Sequence, residues 1–159
     1  MKSRDNLINW LVSLKNLEAG ITDSVIKRIV GVIDDDIDIT TLFHDALCEN
    51  VLEVSVYAFN DPISAIEHFT ENKENYALVI SDLRMTGLNG LELLKKVKAA
   101  NPKVRTILMS AHNFDEDPTY QQYMKEGIID ASIEKLVTIH RLCQRVKEEL
   151  QSYQIALSK

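Results

Sequence analysis

From Lys27 onward, five short apolar runs alternate with segments whose apolar residues recur at helical spacing, and this alternation limits the fold more than any other feature of the chain. The predicted strands are 29–33, 54–59, 76–81, 104–109 and 128–133. The predicted helices are 38–50, 62–72, 89–100, 118–126 and 137–157. Because parallel strands need long crossover connections, and those crossovers are right-handed, the pattern predicts a doubly wound α/β fold with a five-stranded parallel sheet.

The segment before Lys27 has a helical pattern of its own. Leu7, Leu11 and Leu14 lie on one side of a predicted amphipathic helix over 5–19, and 20–24 is the predicted linker. We therefore divide the chain into an N-terminal helix with its linker, 1–26, and an α/β domain, 27–159. The apolar stripe of the N-terminal helix requires a covering surface, either in the same domain or in another chain. Because the last predicted helix is also longer than the sheet requires, the two terminal helices could form a homodimer interface.

Composition argues against several classes of protein. The 18 basic and 24 acidic residues give a formal charge of −6, which disfavours direct binding to nucleic acid. No apolar run approaches the roughly 18 residues of a membrane span, and the N-terminus lacks a secretory signal, so we expect a soluble, cytoplasmic protein. Cys48 and Cys143 lie far apart without metal-ligand spacing, and we expect both to be buried, reduced thiols.

Charged and hydroxyl residues follow four of the five predicted strands. They are Asp34, Asp35 and Asp36 after the first, Asp82 after the third, Ser110 after the fourth and Lys135 after the fifth. Because the carboxyl ends of parallel strands share one edge of the sheet, these side chains should lie close together. Crowded carboxylates favour Mg²⁺, and an ammonium and a hydroxyl beside them suit transfer of a phosphoryl group to Asp82. Asp36 is predicted to cap the first helix instead.

At these residues the chain resembles the receiver domain of two-component response regulators, in particular chemotaxis-regulator-like receivers. The resemblance is carried by VIDDD (32–36), VISDLRMTGLNGLELLKKVK (79–98), TILMSAH (106–112) and IEK (133–135). It implies a flavodoxin-like fold in which Asp82 accepts a phosphoryl group from a histidine kinase, a phosphotransfer protein or a small phosphodonor. No further motif follows the last helix, so we expect a stand-alone receiver without an output domain.

The resemblance also implies a role for each residue of the site. Asp34 and Asp35, with Asp82 and the backbone carbonyl of Arg84, match the positions that hold Mg²⁺. Ser110 and Lys135 match the hydroxyl and the lysine that contact the phosphoryl group. Two further positions, Arg84 and His112, match side chains that alter the lifetime of the phosphoryl group. The hypothesis is that Arg84 and His112 shield or salt-bridge this group and so change how quickly water removes it.

Three positions depart from the family pattern. Ser132 stands where an aromatic residue usually completes the conformational switch, and its small side chain cannot fill the same volume. Thr86 replaces the usual proline after the phosphoacceptor. Leu136 replaces the proline that usually follows the lysine, commonly through a cis bond. A cis bond without proline costs about 2.5 to 4 kcal/mol, so we predict a trans bond and a shifted lysine loop.

Two other functions remain open from the sequence. The departures are consistent with a receiver-like interaction module that is never phosphorylated. The run from Asp36 to Thr40 matches the DxDxT pattern of haloacid-dehalogenase-type phosphohydrolases, in which Asp36 would be the nucleophile. That alternative leaves the SDLRMTGLNG motif unexplained.

Overall fold

The computed structural model describes residues 9–11, 27–111 and 113–159. The strands are β1 (Arg28–Ile33), β2 (Val54–Phe59), β3 (Tyr76–Asp82), β4 (Arg105–Ser110) and β5 (Ala131–Glu134). The helices are α1 (Ile37–Asn50), α2 (Pro62–Asn72), α3 (Gly90–Ala100), α4 (Pro118–Lys125) and α5 (Ile139–Leu157). Within these ranges, no helix is both long enough and apolar enough to cross a membrane.

Part of the sequence prediction falls outside the described residues. Of the predicted N-terminal helix over 5–19, the structure describes only residues 9–11, which are helical. The predicted linker, 20–24, and His112 lie outside the described residues.

The strands form one parallel sheet in the order β2-β1-β3-β4-β5, which confirms the predicted doubly wound fold. Helices α1 and α5 cover one face, where Phe43, Leu47 and Leu142 pack on the strands. Helices α2, α3 and α4 cover the other face, where Phe69 and Leu94 are among the core residues. Every residue of β3 is buried, as expected for the central strand of a sheet covered on both sides.

A polar side chain caps the N-terminus of each helix from α1 to α5. The caps are Asp36, Asp61, Asn89, Asp117 and Thr138. Each cap accepts a hydrogen bond from a backbone N–H in the first turn, which would otherwise lack a partner. The predicted cap at Asp36 is confirmed. The next helix, α2, is capped by Asp61 and not by the neighbouring Asn60.

The predicted bounds of the fifth strand were wrong at the N-terminal end, because β5 begins at Ala131 rather than at residue 128. Gly127 takes a positive φ of 74° after α4. The N–H groups of Ile128 and Ile129 then bond to the Tyr123 carbonyl, at 2.9 and 3.4 Å, instead of joining the sheet. Ile129 is nevertheless buried, so its apolar character reflects packing of a turn.

The two cysteines differ in their surroundings. Both are free, as predicted, and Cys143 is buried in the core between α5 and α1. Cys48 is exposed, so the prediction that it is buried was wrong. It directly follows the buried Leu47 on α1, and the helical rotation of about 100° per residue turns it away from the sheet.

A group of ion pairs joins three elements at the amino ends of the strands. Asp130 binds the Lys98 ammonium at 2.7 Å and the Arg105 guanidinium at 3.3 Å. Arg105 Nε also donates to the buried carboxylate of Glu149 on α5, at 2.8 Å. These contacts connect α3, β4 and α5 at the end of the sheet opposite to the acidic cluster.

Candidate functional site

The carboxyl ends of three strands bring Asp34, Asp82 and Lys135 together. Asp82 is the last residue of β3, Asp34 follows β1 and Lys135 follows β5. The Lys135 ammonium lies 3.0 Å from Asp34 Oδ2 and 3.1 Å from Asp82 Oδ1. Residues more than 50 positions apart in the sequence are therefore in direct contact, at the edge of the sheet where the sequence predicted them.

Burial and neighbouring charges change the pKa values of Asp82 and Lys135. Burial raises the pKa of the Asp82 carboxyl above its ordinary value; the hydrogen bond from Lys135 opposes this rise, and the nearby Asp34 carboxylate adds to it. Burial alone would lower the pKa of the Lys135 ammonium, but its contacts with Asp34 and Asp82 outweigh that effect and raise it. The lysine therefore stays charged between the two acids and partly offsets their repulsion.

The carboxylates of Asp34, Asp35 and Asp82 have the composition of a divalent-cation site. Each offers one oxygen, and these three oxygens lie within 4.8 Å of one another. Asp34 Oδ2 is buried; it makes no hydrogen bond but forms an ion pair with the Lys135 ammonium at 3.0 Å. Three carboxylates this close together offer only oxygen donors, which fit Mg²⁺, a hard cation that binds carboxylates and retains water.

Arg84 lies in the loop after β3, on the same side of the site as Asp35. Together with Asp35 and Asn89 it lines an open depression of about 480 Å³. Asp35 is exposed, in contrast to the buried Asp34 and Asp82. The predicted backbone ligand and the exposed carboxylate thus border the same solvent-accessible space.

Ser110 is buried at the end of β4, next to β3 in the sheet. Its backbone carbonyl accepts a hydrogen bond from the Lys135 N–H at 2.8 Å, which fixes the start of the lysine loop against β4. The predicted hydroxyl and lysine therefore occupy adjacent strand ends.

Gly90 supports the site in a way that the sequence interpretation missed. A Cβ atom at this first residue of α3 would lie 2.1 Å from the backbone oxygen of Asp82. The Gly90 N–H also donates to the Leu83 carbonyl at 2.9 Å, which closes the loop after β3. The available signal was a glycine directly after the helix cap Asn89, a position where close backbone approach calls for the smallest residue.

The lysine loop places Lys135 beside the two carboxylates, although leucine rather than proline follows it. Every peptide bond among the described residues is trans, which confirms the prediction for Lys135 to Leu136. Leu136 instead takes a positive φ of 69° and is fully exposed.

The predicted position of the switch aromatic lies beside a groove. Ser132 is partly buried and lines this groove of about 530 Å³ together with Phe114, Glu134 and Arg141. The space beside Ser132 is therefore open on the surface next to the N-terminus of α5.

Asp36 does not join the acidic cluster. It is exposed, and its Oδ1 accepts the Asp38 N–H at 2.9 Å as the cap of α1. Because the Asp36 side chain caps α1, its position gives no support to a role as the nucleophile of a phosphohydrolase.

Comparison of the chain with known proteins identifies a match to one protein family. The response regulator receiver domain matches residues 30–147. The DNA-binding transcriptional regulator NtrC of Salmonella typhimurium is 32% identical over 105 residues, which are 65% of this chain and 21% of that protein. The C4-dicarboxylate transport transcriptional regulatory protein DctD of Rhizobium meliloti is 31% identical over 119 residues, 74% of this chain and 24% of that protein. The chain thus spans only about a fifth to a quarter of these relatives.

Solved structures share the fold at lower identity. A response regulator receiver domain protein from Clostridium thermocellum superposes with a TM-score of 0.72 at 23% identity, over 81% of this chain and 98% of that one. A CheY-like receiver domain protein from Methanospirillum hungatei gives a TM-score of 0.70 at 21% identity, with the same coverage of 81% and 98%. These likenesses concern the fold alone.

Proposed function

Because the chain belongs to the response regulator receiver domain family of two-component signalling, we propose that it accepts a phosphoryl group on Asp82. The observation that carries this proposal is the Lys135 ammonium held between the carboxylates of Asp34 and Asp82, at 3.0 and 3.1 Å. The donor would be a histidine kinase, a phosphotransfer protein or a small phosphodonor such as acetyl phosphate.

In the proposed reaction, a carboxylate oxygen of Asp82 forms a bond to phosphorus while the bond from phosphorus to the donor's nitrogen or oxygen breaks. Lys135 keeps a positive charge beside Asp82, where negative charge gathers as the phosphoryl group arrives. Ser110, at the adjacent strand end, would offer its hydroxyl to the same group.

Asp34, Asp35 and Asp82, with the backbone carbonyl of Arg84, are the residues that would hold Mg²⁺. The bound ion would neutralise charge on the phosphoryl oxygens. The burial of Asp34 Oδ2, which makes no hydrogen bond, and the closeness of the three carboxylates support this assignment.

Intact-mass measurement after incubation with acetyl phosphate and Mg²⁺ tests the proposal. We expect the wild type and Asp36→Asn to gain one phosphate each, and Asp82→Asn to gain none. Phosphate on Asp82→Asn but not on Asp36→Asn would instead support the phosphohydrolase alternative. A wild type that gains no phosphate would support the receiver-like interaction module.

We further propose that the downstream target is a protein in the cytoplasm. The acidic excess, 24 acids against 18 bases, disfavours a phosphate backbone as the target. A homodimer through the terminal helices stays a prediction.

A further inference from the structure

Asn60 connects the end of β1 to the first turn of α1. Its Nδ2 donates one hydrogen bond to the backbone oxygen of Asp34, at 2.9 Å, and another to Thr40 Oγ1, at 2.8 Å. A side-chain amide has two N–H donors, and both are used here. Because Asp61 caps α2, the Asn60 side chain is not needed to start that helix.

The bond from Asn60 is one of three that fix Asp34. The Asp34 N–H donates to the Phe59 carbonyl at 3.1 Å, and Asp34 Oδ1 accepts the Asp36 N–H at 3.0 Å. With the backbone oxygen held by Asn60, only Oδ2 remains without a hydrogen bond. This is the buried oxygen that faces Lys135.

We infer that Asn60 is a positioning residue for the divalent-cation site. By fixing the Asp34 backbone, it directs Oδ2 toward the space shared with Asp35 and Asp82, without contacting the cation itself. The inference rests on the proposed function, because it requires Asp34 to be a cation ligand. Partners that orient metal ligands typically contribute about 10- to 100-fold to metal affinity, and for this backbone link we expect about tenfold.

Thr40→Val provides a matched control for Asn60→Ala. It removes the hydroxyl that accepts the second Asn60 bond, but it leaves the bond from Asn60 to Asp34 in place. Each variant loses two hydrogen bonds: Asn60→Ala loses those to Asp34 and Thr40, and Thr40→Val loses the one from Asn60 and its own to the Ile37 carbonyl, so both should unfold at lower urea concentration. A merely structural role for Asn60 would therefore change the two variants alike.

The experiment is a Mg²⁺ titration by calorimetry of the wild type, Asn60→Ala, Thr40→Val and Asp34→Asn, each first shown to be folded by circular dichroism. We expect Asn60→Ala to bind about tenfold more weakly than the wild type, Thr40→Val to bind as the wild type does, and Asp34→Asn to lose binding.

Equal affinity in Asn60→Ala and the wild type would overturn the inference and leave the proposed function intact. An equal loss in Asn60→Ala and Thr40→Val would also overturn it, because the effect would then come from general loosening. A wild type that does not bind Mg²⁺ would overturn the metal site of the proposed function, and this inference with it.

Discussion

Replacing Gly90 with alanine would place a methyl group against the backbone of the proposed phosphoacceptor. The Cβ would lie 2.1 Å from the Asp82 carbonyl oxygen, 2.9 Å from its carbonyl carbon and 3.0 Å from Leu108 Cδ1. Close carbon–oxygen contacts in proteins are about 3.3 Å or longer, so α3 would have to move by about 1 Å relative to β3. The obstacle is backbone in the central strand, which cannot rotate away as a flexible side chain would.

The expected loss of stability follows from three contributions. Overpacking of a well-packed interior costs about 1 to 3 kcal/mol, and a rigid backbone obstacle belongs at the upper end of that range. Strain on the hydrogen bond from Gly90 to Leu83, now 2.9 Å long, adds up to about 1 kcal/mol. Alanine restricts the unfolded chain more than glycine does, which returns about 0.4 to 1 kcal/mol. We therefore expect a net destabilisation of about 2 to 3 kcal/mol.

Urea unfolding followed by circular dichroism measures this difference. Gly87→Ala is the matched control, because Gly87 has a φ of 94° but nothing within 4 Å of its added Cβ. Its cost comes from backbone conformation, about 1 to 2 kcal/mol, reduced by the same restriction of the unfolded chain as in Gly90→Ala. If Gly90→Ala proves no less stable than Gly87→Ala, close packing of α3 against Asp82 is not what requires glycine at this position.

Three further predictions concern the acid cluster, the ion pairs at the opposite end of the sheet and the thiols. Mg²⁺ at 100 times its dissociation constant should raise the unfolding free energy of the wild type by about 2.7 kcal/mol, measured in urea, and should raise that of Asp82→Asn much less. Asp130→Ala removes the carboxylate that pairs with Lys98 and one of the two that pair with Arg105, in a largely buried place, and should cost about 3 kcal/mol in the same assay, whereas loss of the more exposed pair in Arg145→Ala should cost less than about 1 kcal/mol. A chromogenic disulfide reagent should react rapidly with exposed Cys48 and slowly with Cys143, because burial shields that thiol and raises its pKa, and Cys48→Ser should remove the rapid phase.

The sequence was sufficient to predict the three inner strands, β1, β3 and β4, because they are buried on both sides. In β3 every residue from Tyr76 to Asp82 is buried, so the strand appears in the sequence as an unbroken apolar run with a carboxylate at its end. Residues at such strand ends meet at one edge whatever the details of packing, which is why Asp34, Asp82 and Lys135 could be grouped in advance.

Contacts that depend on tertiary packing could not be predicted from the sequence pattern in the same way. The apolar character of Ile129 indicated a strand, whereas the residue is buried in a turn that bonds to Tyr123. The hydrogen-bond partners of Asn60, Asp34 and Thr40, lie 26 and 20 positions away in the sequence, so no local pattern indicates them. The requirement for Gly90 comes from the distance between α3 and the end of β3, which no local pattern encodes.

Leu136 shows how the departure from the family pattern is accommodated. It has a φ of 69° and a fully exposed side chain, so no burial offsets the roughly 1 to 2 kcal/mol cost of this conformation. The conformation is held from both sides. Lys135 is tied to the Ser110 carbonyl and to two carboxylates, and Thr138 caps α5 two residues later by accepting the Arg141 N–H.

The variant Leu136→Gly should therefore separate stability from function. Glycine removes the steric cost but adds conformational entropy to the unfolded chain, so we expect a gain of about 0.5 to 1 kcal/mol in urea unfolding. Glu53→Gly, at the other non-glycine residue described with a positive φ, 63°, should gain a similar amount far from the site. Only Leu136→Gly loosens the backbone that places Lys135, so only this variant should be phosphorylated more slowly by acetyl phosphate. Wild-type rates in both variants would show that the contacts of Lys135 with the two carboxylates position it without help from the Leu136 backbone.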